Sequence, residues 1–358
     1  CIILLQTKHT LDDEGLYYLV TNDDYEKYVQ NWQWAGYLKQ VKTFQECAIM
    51  VRRPALDSFD IIDNANFDCP PIKLVYYGKY GAGKTMTMAH VLHRYAKSGW
   101  VTIHLPSIME WLRYRKTKSR AFSLSSYKDN VYDYTDDAFD WLIYFKKQNG
   151  HLLQNFKTTK DYTWSLREKT LEGSGLLDII DFGIDRRKYA SDCIGVLFKE
   201  IKQLASDKKL KVLVAVEGLN GFWRNTSIKD EERKLVNAQK VSTFRHFLNL
   251  YKPDWNNGVC IGTVCQNVDT LDEPDHEPEK VPYTPKYLLK DEGFQCFDPF
   301  VPMLVPEYSP KEAHNCIDYY IERKWIIKPR SLTEHGKKEL VLLSNHNPKM
   351  LMEIAKYW

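Results

Sequence analysis

Residues 78–85 read Gly-Lys-Tyr-Gly-Ala-Gly-Lys-Thr, the spacing G-x-x-x-x-G-K-[ST]. A loop of this kind needs a buried strand to deliver it and a helix to leave it, so it restricts the chain to an α/β arrangement. Both neighbours are present in the sequence. Ile72–Tyr77 (IKLVYY) is a short apolar run that stops at Gly78. Lys84–Lys97 places Met88, Ala89, Leu92, Tyr95 and Ala96 at helical spacing. The glycines let successive backbone N–H groups turn inward toward phosphate oxygens, and the helix start adds its positive end. The candidate nucleotide-binding residues are therefore Gly78, Lys79, Tyr80, Gly81, Ala82, Gly83, Lys84, Thr85 and Met86. Lys84 would neutralise β- and γ-phosphate charge, and the Thr85 hydroxyl would join the shell of a Mg²⁺ ion.

More strands and helices alternate downstream. Trp100–Leu105, Val212–Val216 and Gly258–Val264 are apolar runs of buried-strand type, and Ala190–Leu204 and Val241–Leu250 have helical spacing. This alternation predicts an α/β fold with a parallel sheet covered on both faces. Glu217, at the end of VLVAV, is the candidate acid for the Mg²⁺ shell, directly or through water. Gly218 follows, where many ATPase motors carry a catalytic Glu, so fast hydrolysis lacks its obvious base. Thr263 or Gln266, at the end of the Gly258–Val264 run, could sense the γ-phosphate. No Asn-Lys-x-Asp segment encodes guanine, and base identity stays open; Arg52, Arg53 and Pro54 are candidates for the base side.

The flanks differ in character. Residues 1–70 form an aromatic-rich N-terminal extension whose last part, Glu46–Ile62, is expected to be a helix with Val51, Leu56, Phe59 and Ile62 inward. Residues 71–270 would be the α/β core, and 271–285 an acidic, proline-rich linker. Residues 286–358 would be a mainly helical domain, with Ser309 and Thr333 as N-caps of helices over Pro310–Lys324 and Thr333–Leu343 and a further helix over Pro348–Lys356. Residues 113–120 (RYRKTKSR) place Arg113, Arg115, Lys116, Lys118 and Arg120 around Tyr114, a pattern suited to RNA phosphates. Lys146, Lys147, Lys157 and Lys160, with Phe145, Phe156, Tyr162 and Trp164 nearby, extend it.

Composition sets outer limits. With 44% hydrophobic and 27% charged residues, the 358-residue chain is not a disordered one. No stretch approaches the ~20 apolar residues of a membrane-spanning helix, and no membrane insertion is expected. The net charge of +3 neither demands nor excludes nucleic acid. Eight cysteines without a Cys-x-x-Cys pair argue for free thiols in a reducing compartment rather than a zinc ribbon or a disulfide framework. The chain starts at Cys1, and residues 1–5 are too short for a secretory apolar region.

Several segments together carry a closer likeness: Tyr76-Tyr77-Gly78 through Gly83-Lys84-Thr85, WVTIHLP (100–106), IGVLFKEIK (194–202), LVAVEGLNGFW (213–223), GFQCFDPFVPMLV (293–305) and GKKELVLLSNHNP (336–348). In these the sequence resembles the family of death-associated protein 3, from about His9-Thr10 to the C-terminus. The resemblance implies an AAA+-like P-loop NTPase core with a C-terminal helical lid. It also implies a structural role in the head of the mitochondrial small ribosomal subunit, within the mitochondrial matrix. The implied partners are the small-subunit rRNA, neighbouring head proteins and large-subunit proteins across an intersubunit bridge, and an apoptosis-related role is implied as well. The implied ligand is GTP or GDP with Mg²⁺, on the phosphate-loop residues named above; ATP is left open by the residues themselves. Glu217 stands where the family pattern leads one to expect Asp. Any GTPase activity is expected to be weak. The alternatives are an active NTPase switch and a signalling adaptor acting off the ribosome.

Overall fold

A computed structural model describes residues 3–4, 8–30, 35–113, 122–125, 128–269 and 277–358. The strands of its central sheet and N-terminal ribbon are β1 (Ile3–Leu4), β2 (Tyr17–Val20), β3 (Cys47–Met50), β4 (Ile72–Tyr77), β5 (Val101–Leu105), β6 (Val212–Glu217), β7 (Gly258–Thr263) and β8 (Val301–Leu304). The main helices are α1 (Ala35–Phe44), α2 (Arg53–Asp63), α3 (Lys84–Lys97), α4 (Thr135–Leu153), α5 (Leu176–Asp185), α6 (Ala190–Ser206) and α7 (Ser242–Asn249). They continue with α8 (Pro285–Phe297, broken at Lys290), α9 (Pro310–Glu322), α10 (Glu334–Ser344) and α11 (Pro348–Ala355).

Five strands form a parallel sheet in the order β8-β4-β7-β6-β5. Alternate side chains of each inner strand enter different cores. Leu74, Tyr76, Leu213, Ala215, Val259 and Ile261 pack with α2 and α3 on one face. Val75, Val214, Val216 and Cys260 pack with α4, α5, α6 and α7 on the other. Both faces are covered, which is why these strands read as unbroken apolar runs. With the phosphate loop between β4 and α3, this is a P-loop NTPase-like core. The edge strand β5 is closed by Asn149 of α4, whose Oδ1 accepts from Thr102 N at 2.8 Å while its Nδ2 donates to Thr102 O at 2.9 Å.

The span expected to be one helix over Glu46–Ile62 is two elements. Cys47–Met50 is a fully buried strand, antiparallel to β2, and the helix begins only at Arg53 with Pro54 in its first turn. Proline is favoured there and cannot continue a helix from upstream. The β2–β3 ribbon is apolar on both sides: Tyr18, Val20, Cys47 and Ile49 join the core beside α2 and α3, while Tyr17, Ala48 and Met50 pack against α9, α10 and α11. It is thus a middle layer between core and C-terminal helices. Within residues 286–358, β8 joins the central sheet beside β4, and Pro302 is tolerated because β8 is an edge strand. Ser309 caps α9 through a reciprocal box with Glu312 (3.2 and 2.8 Å), and the Thr333 hydroxyl accepts from Gly336 N at 3.1 Å. The seven described cysteines are free thiols. Among the described residues no helix is long and apolar enough to cross a membrane.

Candidate nucleotide site

The phosphate loop sits at the carboxyl end of β4 and opens on a cavity of about 280 Å³. Gly78 is fixed by its surroundings: φ is +148°, and a Cβ would lie 2.2 Å from Val305 O. Next to it, Val305 N donates to Tyr77 O at 2.8 Å and ties the end of β8 to the loop. Lys84 is buried, and its ammonium donates to Gly78 O at 2.7 Å and Lys79 O at 3.0 Å. Burial pushes its pKa below the usual lysine value. Both of these acceptors are neutral carbonyls, so the ammonium is a buried cation suited to an incoming anion.

Thr85 and Glu217 meet across the cavity floor, the Thr85 hydroxyl donating to Glu217 Oε1 at 2.5 Å. Burial raises the Glu217 carboxyl to about 7, with Thr85 and Lys84 pulling the other way and Glu110 adding to the rise. Among the described residues no group of three or more His, Cys, Asp and Glu could hold a metal. A hydroxyl and one carboxylate are what a Mg²⁺ ion needs when phosphate and water supply its other ligands, so Thr85 and Glu217 fit that role. Gly218 has φ +91° and would place a Cβ 2.8 Å from Ile108 Cγ2. A side chain there would have to displace Ile108 and adopt a strained backbone.

The other candidates separate. Gln266 lines the cavity, and its Nε2 donates to Pro278 O at 2.8 Å and Val281 O at 2.5 Å. Its Oε1 is buried and has no hydrogen-bond partner. Thr263 does not line the cavity; its hydroxyl accepts from Gly218 N at 3.0 Å and contacts Cys265 Sγ at 3.3 Å. Of the two candidates for sensing the phosphate, Gln266 thus faces the cavity, while the Thr263 hydroxyl holds the β6–β7 ends together.

Arg52 reaches the site, but as a clasp. Its buried guanidinium donates to Ala82 O (2.7 Å) in the phosphate loop, to Pro306 O (2.9 Å) and Glu307 O (3.2 Å) after β8, and to Glu312 Oε1 (2.9 Å) in α9. Arg53 turns outward to Asp57 at 2.7 Å, and Pro54 is buried in the first turn of α2. The loop's remaining side chains are held by the C-terminal segment too. Lys79 pairs with Glu307 at 2.5 Å, Asn347 Nδ2 donates to Tyr80 O at 2.8 Å, and Lys349 bonds the Tyr80 hydroxyl and lies over its ring. Sequence reading missed Asn347 and Lys349, which lie more than 260 residues from the loop and carry no local motif.

Of the basic cluster, Arg113 is exposed; Arg115, Lys116, Lys118 and Arg120 lie outside the described residues, as do residues 271–276 of the expected linker. Two of the lysines that extend that cluster have partners within the chain. Lys146 pairs with Asp181, Lys147 with Glu26, and Phe145 is a core residue. The aromatic spacing there reflects the buried face of α4.

Residues 49–354 match the model of the family described as mitochondrial ribosomal death-associated protein 3. The chain is 36% identical over 321 residues to small ribosomal subunit protein mS29 of Bos taurus, covering 90% of this chain and 78% of the bovine one. It is 33% identical over 348 residues to the mS29 protein of Mus musculus, covering 97% of this chain and 86% of that one. Among solved structures, a Walker-type ATPase of Pyrococcus abyssi aligns with a TM-score of 0.45 at 12% identity, over 85% of this chain and 65% of that one.

Proposed function

Since the chain belongs to the family of mitochondrial ribosomal death-associated protein 3, we propose that it is a structural component of the mitochondrial small ribosomal subunit that holds a guanine nucleotide in its phosphate loop. The single observation that carries the nucleotide part is the Thr85–Glu217 contact beside the buried Lys84 ammonium. These three groups supply what a Mg²⁺–phosphate pair requires: a cation for the phosphate, and a hydroxyl and a carboxylate for the metal shell. The family resemblance supports the rest of the reading. In this reading the protein sits in the head of the subunit in the matrix, against rRNA and head proteins, with large-subunit contacts across a bridge and a role connected with apoptosis.

The ligand acts as a cross-link rather than a fuel. The phosphate loop is bonded to both the core and the C-terminal segment, so a molecule bound there stabilises the whole closed arrangement by mass action. Turnover by the isolated chain is weak in this reading, because Gly218 offers no base. The test is extraction of nucleotide from small subunits purified from mitochondria, identified by mass spectrometry, with a Lys84→Ala control. One guanine nucleotide per subunit, lost in the control, is the expected result; an empty loop would defeat the reading.

A pH dependence follows from Glu217. Its folded-state pKa, about 7, lies above the ordinary carboxylate value. The folded protein therefore holds a proton that the unfolded chain releases, and this stability is lost as pH rises through 7. Metal binding needs the ionised form, so the rise in melting temperature on adding GDP and Mg²⁺ is expected to be smaller at pH 6 than at pH 8. Glu217→Gln should remove most of that difference, which separates it from titration of the nucleotide itself. The same pH step in both proteins would show that Glu217 is not the group responsible.

A further inference from the structure

The cavity that begins at Lys84 and Thr85 is also lined, away from the phosphate loop, by Gln40, Met50, Tyr308, Tyr320 and Met352. These come from α1, β3, the segment before α9, α9 itself and α11. The two ends are joined through Arg52: two residues beyond Met50, its guanidinium donates to Ala82 O of the phosphate loop and lies 4.9 Å from the centre of the Tyr308 ring. The far wall is made of flat rings and thioethers, which suit a planar heteroaromatic group.

One amide lies in that wall. Gln40 is only 5% exposed, and its Oε1 accepts from the Tyr320 hydroxyl at 3.2 Å. Tyr320 also contacts the Cys316 thiol, and burial raises its pKa well above the ordinary value, so the hydroxyl keeps its proton and has one to give. With Oε1 satisfied in this way and Nε2 bonded to no other group among the described residues, Gln40 keeps two N–H donors for a ligand in the cavity that it lines. Unpaired donors of this kind favour a ligand edge made of acceptors. Guanine shows O6 and N7, both acceptors, on one edge; adenine shows an N6 donor beside N7.

We propose that the Gln40 amide, oriented by the Tyr320 hydroxyl, reads the base of the bound nucleotide and selects guanine over adenine. This rests on the reading of the phosphate loop as a nucleotide site. Gln40 is the group that touches the base, and Tyr320 is a positioning residue that acts through it. A turned amide would present Oε1 instead and accept from adenine N6, so the orientation set by Tyr320 decides the preference.

The experiment is titration calorimetry of the full chain with GDP and with ADP, both with Mg²⁺, on the wild type, Lys84→Ala, Gln40→Leu and Tyr320→Phe. Wild type is expected to prefer GDP. Gln40→Leu should weaken GDP by about 10–100-fold, the scale of one lost base-edge pairing, and leave ADP nearly unchanged. Tyr320→Phe should weaken GDP and strengthen ADP, because the freed amide can turn; a merely structural defect would weaken both. If Lys84→Ala abolishes binding while the GDP-to-ADP ratio is the same in Gln40→Leu as in wild type, or if wild type prefers ADP, the base-reading role is wrong and the phosphate-loop reading stands. If wild type binds neither nucleotide, the phosphate-loop reading fails and takes this inference with it.

Discussion

Arg52→Ala is expected to lower stability by about 3–5 kcal/mol, the scale for breaking a buried ion pair from one side. The substitution leaves the buried Glu312 carboxylate without its guanidinium and removes the donor to Ala82 O, Pro306 O and Glu307 O together. Glu312 keeps only the weaker help of its capping box with Ser309. Arg52→Lys should recover little of the loss, because a single ammonium cannot span acceptors on the phosphate loop, the segment after β8 and α9 at once. Urea unfolding of the three proteins measures this directly. A loss below about 1 kcal/mol in Arg52→Ala would mean that the clasp is no stronger than an exposed pair.

Gly78→Ala is expected to be nearly as damaging, at about 2–4 kcal/mol, for a backbone reason. A φ of +148° is costly for any residue with a Cβ, and that atom would fall 2.2 Å from Val305 O, which cannot swing away as a side chain can. Relief requires the end of β8 to move off β4, breaking the bond from Val305 N to Tyr77 O. Faster amide exchange at Val305, with exchange in β6 unchanged, is the signature to look for. Wild-type protection at Val305 would show that the contact relaxes in some other way.

Much of the core was legible in the sequence because burial on both faces leaves a simple trace. The runs IKLVYY, VLVAV and GVCIGTV stand out as strands, since a parallel sheet between helix layers has no polar face to interrupt them. The phosphate loop was legible for the opposite reason: backbone chemistry at a fixed spacing needs particular residues in order. Cys47–Met50 was misread because four buried residues beside a true helix have no period long enough to tell strand from helix. Val301–Leu304 passed unseen because three of its four residues are exposed and one is proline. The contacts that hold the loop shut could not be read at all. Arg52 with Glu312, Tyr80 with Asn347, and Gln40 with Tyr320 are each joined across 260 residues or more, and no local pattern announces such a pair.

The middle-layer ribbon has a consequence for how the chain matures during synthesis. The cavity takes one wall from Tyr17 and another from Met352. Translation makes residue 352 long after residue 17, so Tyr17, Ala48 and Met50 wait with an apolar face uncovered while some 300 further residues emerge. The cavity is complete only when α11 arrives. A chain that stops short of α11 leaves this apolar strand face partly uncovered and the cavity without the wall that Met352 supplies.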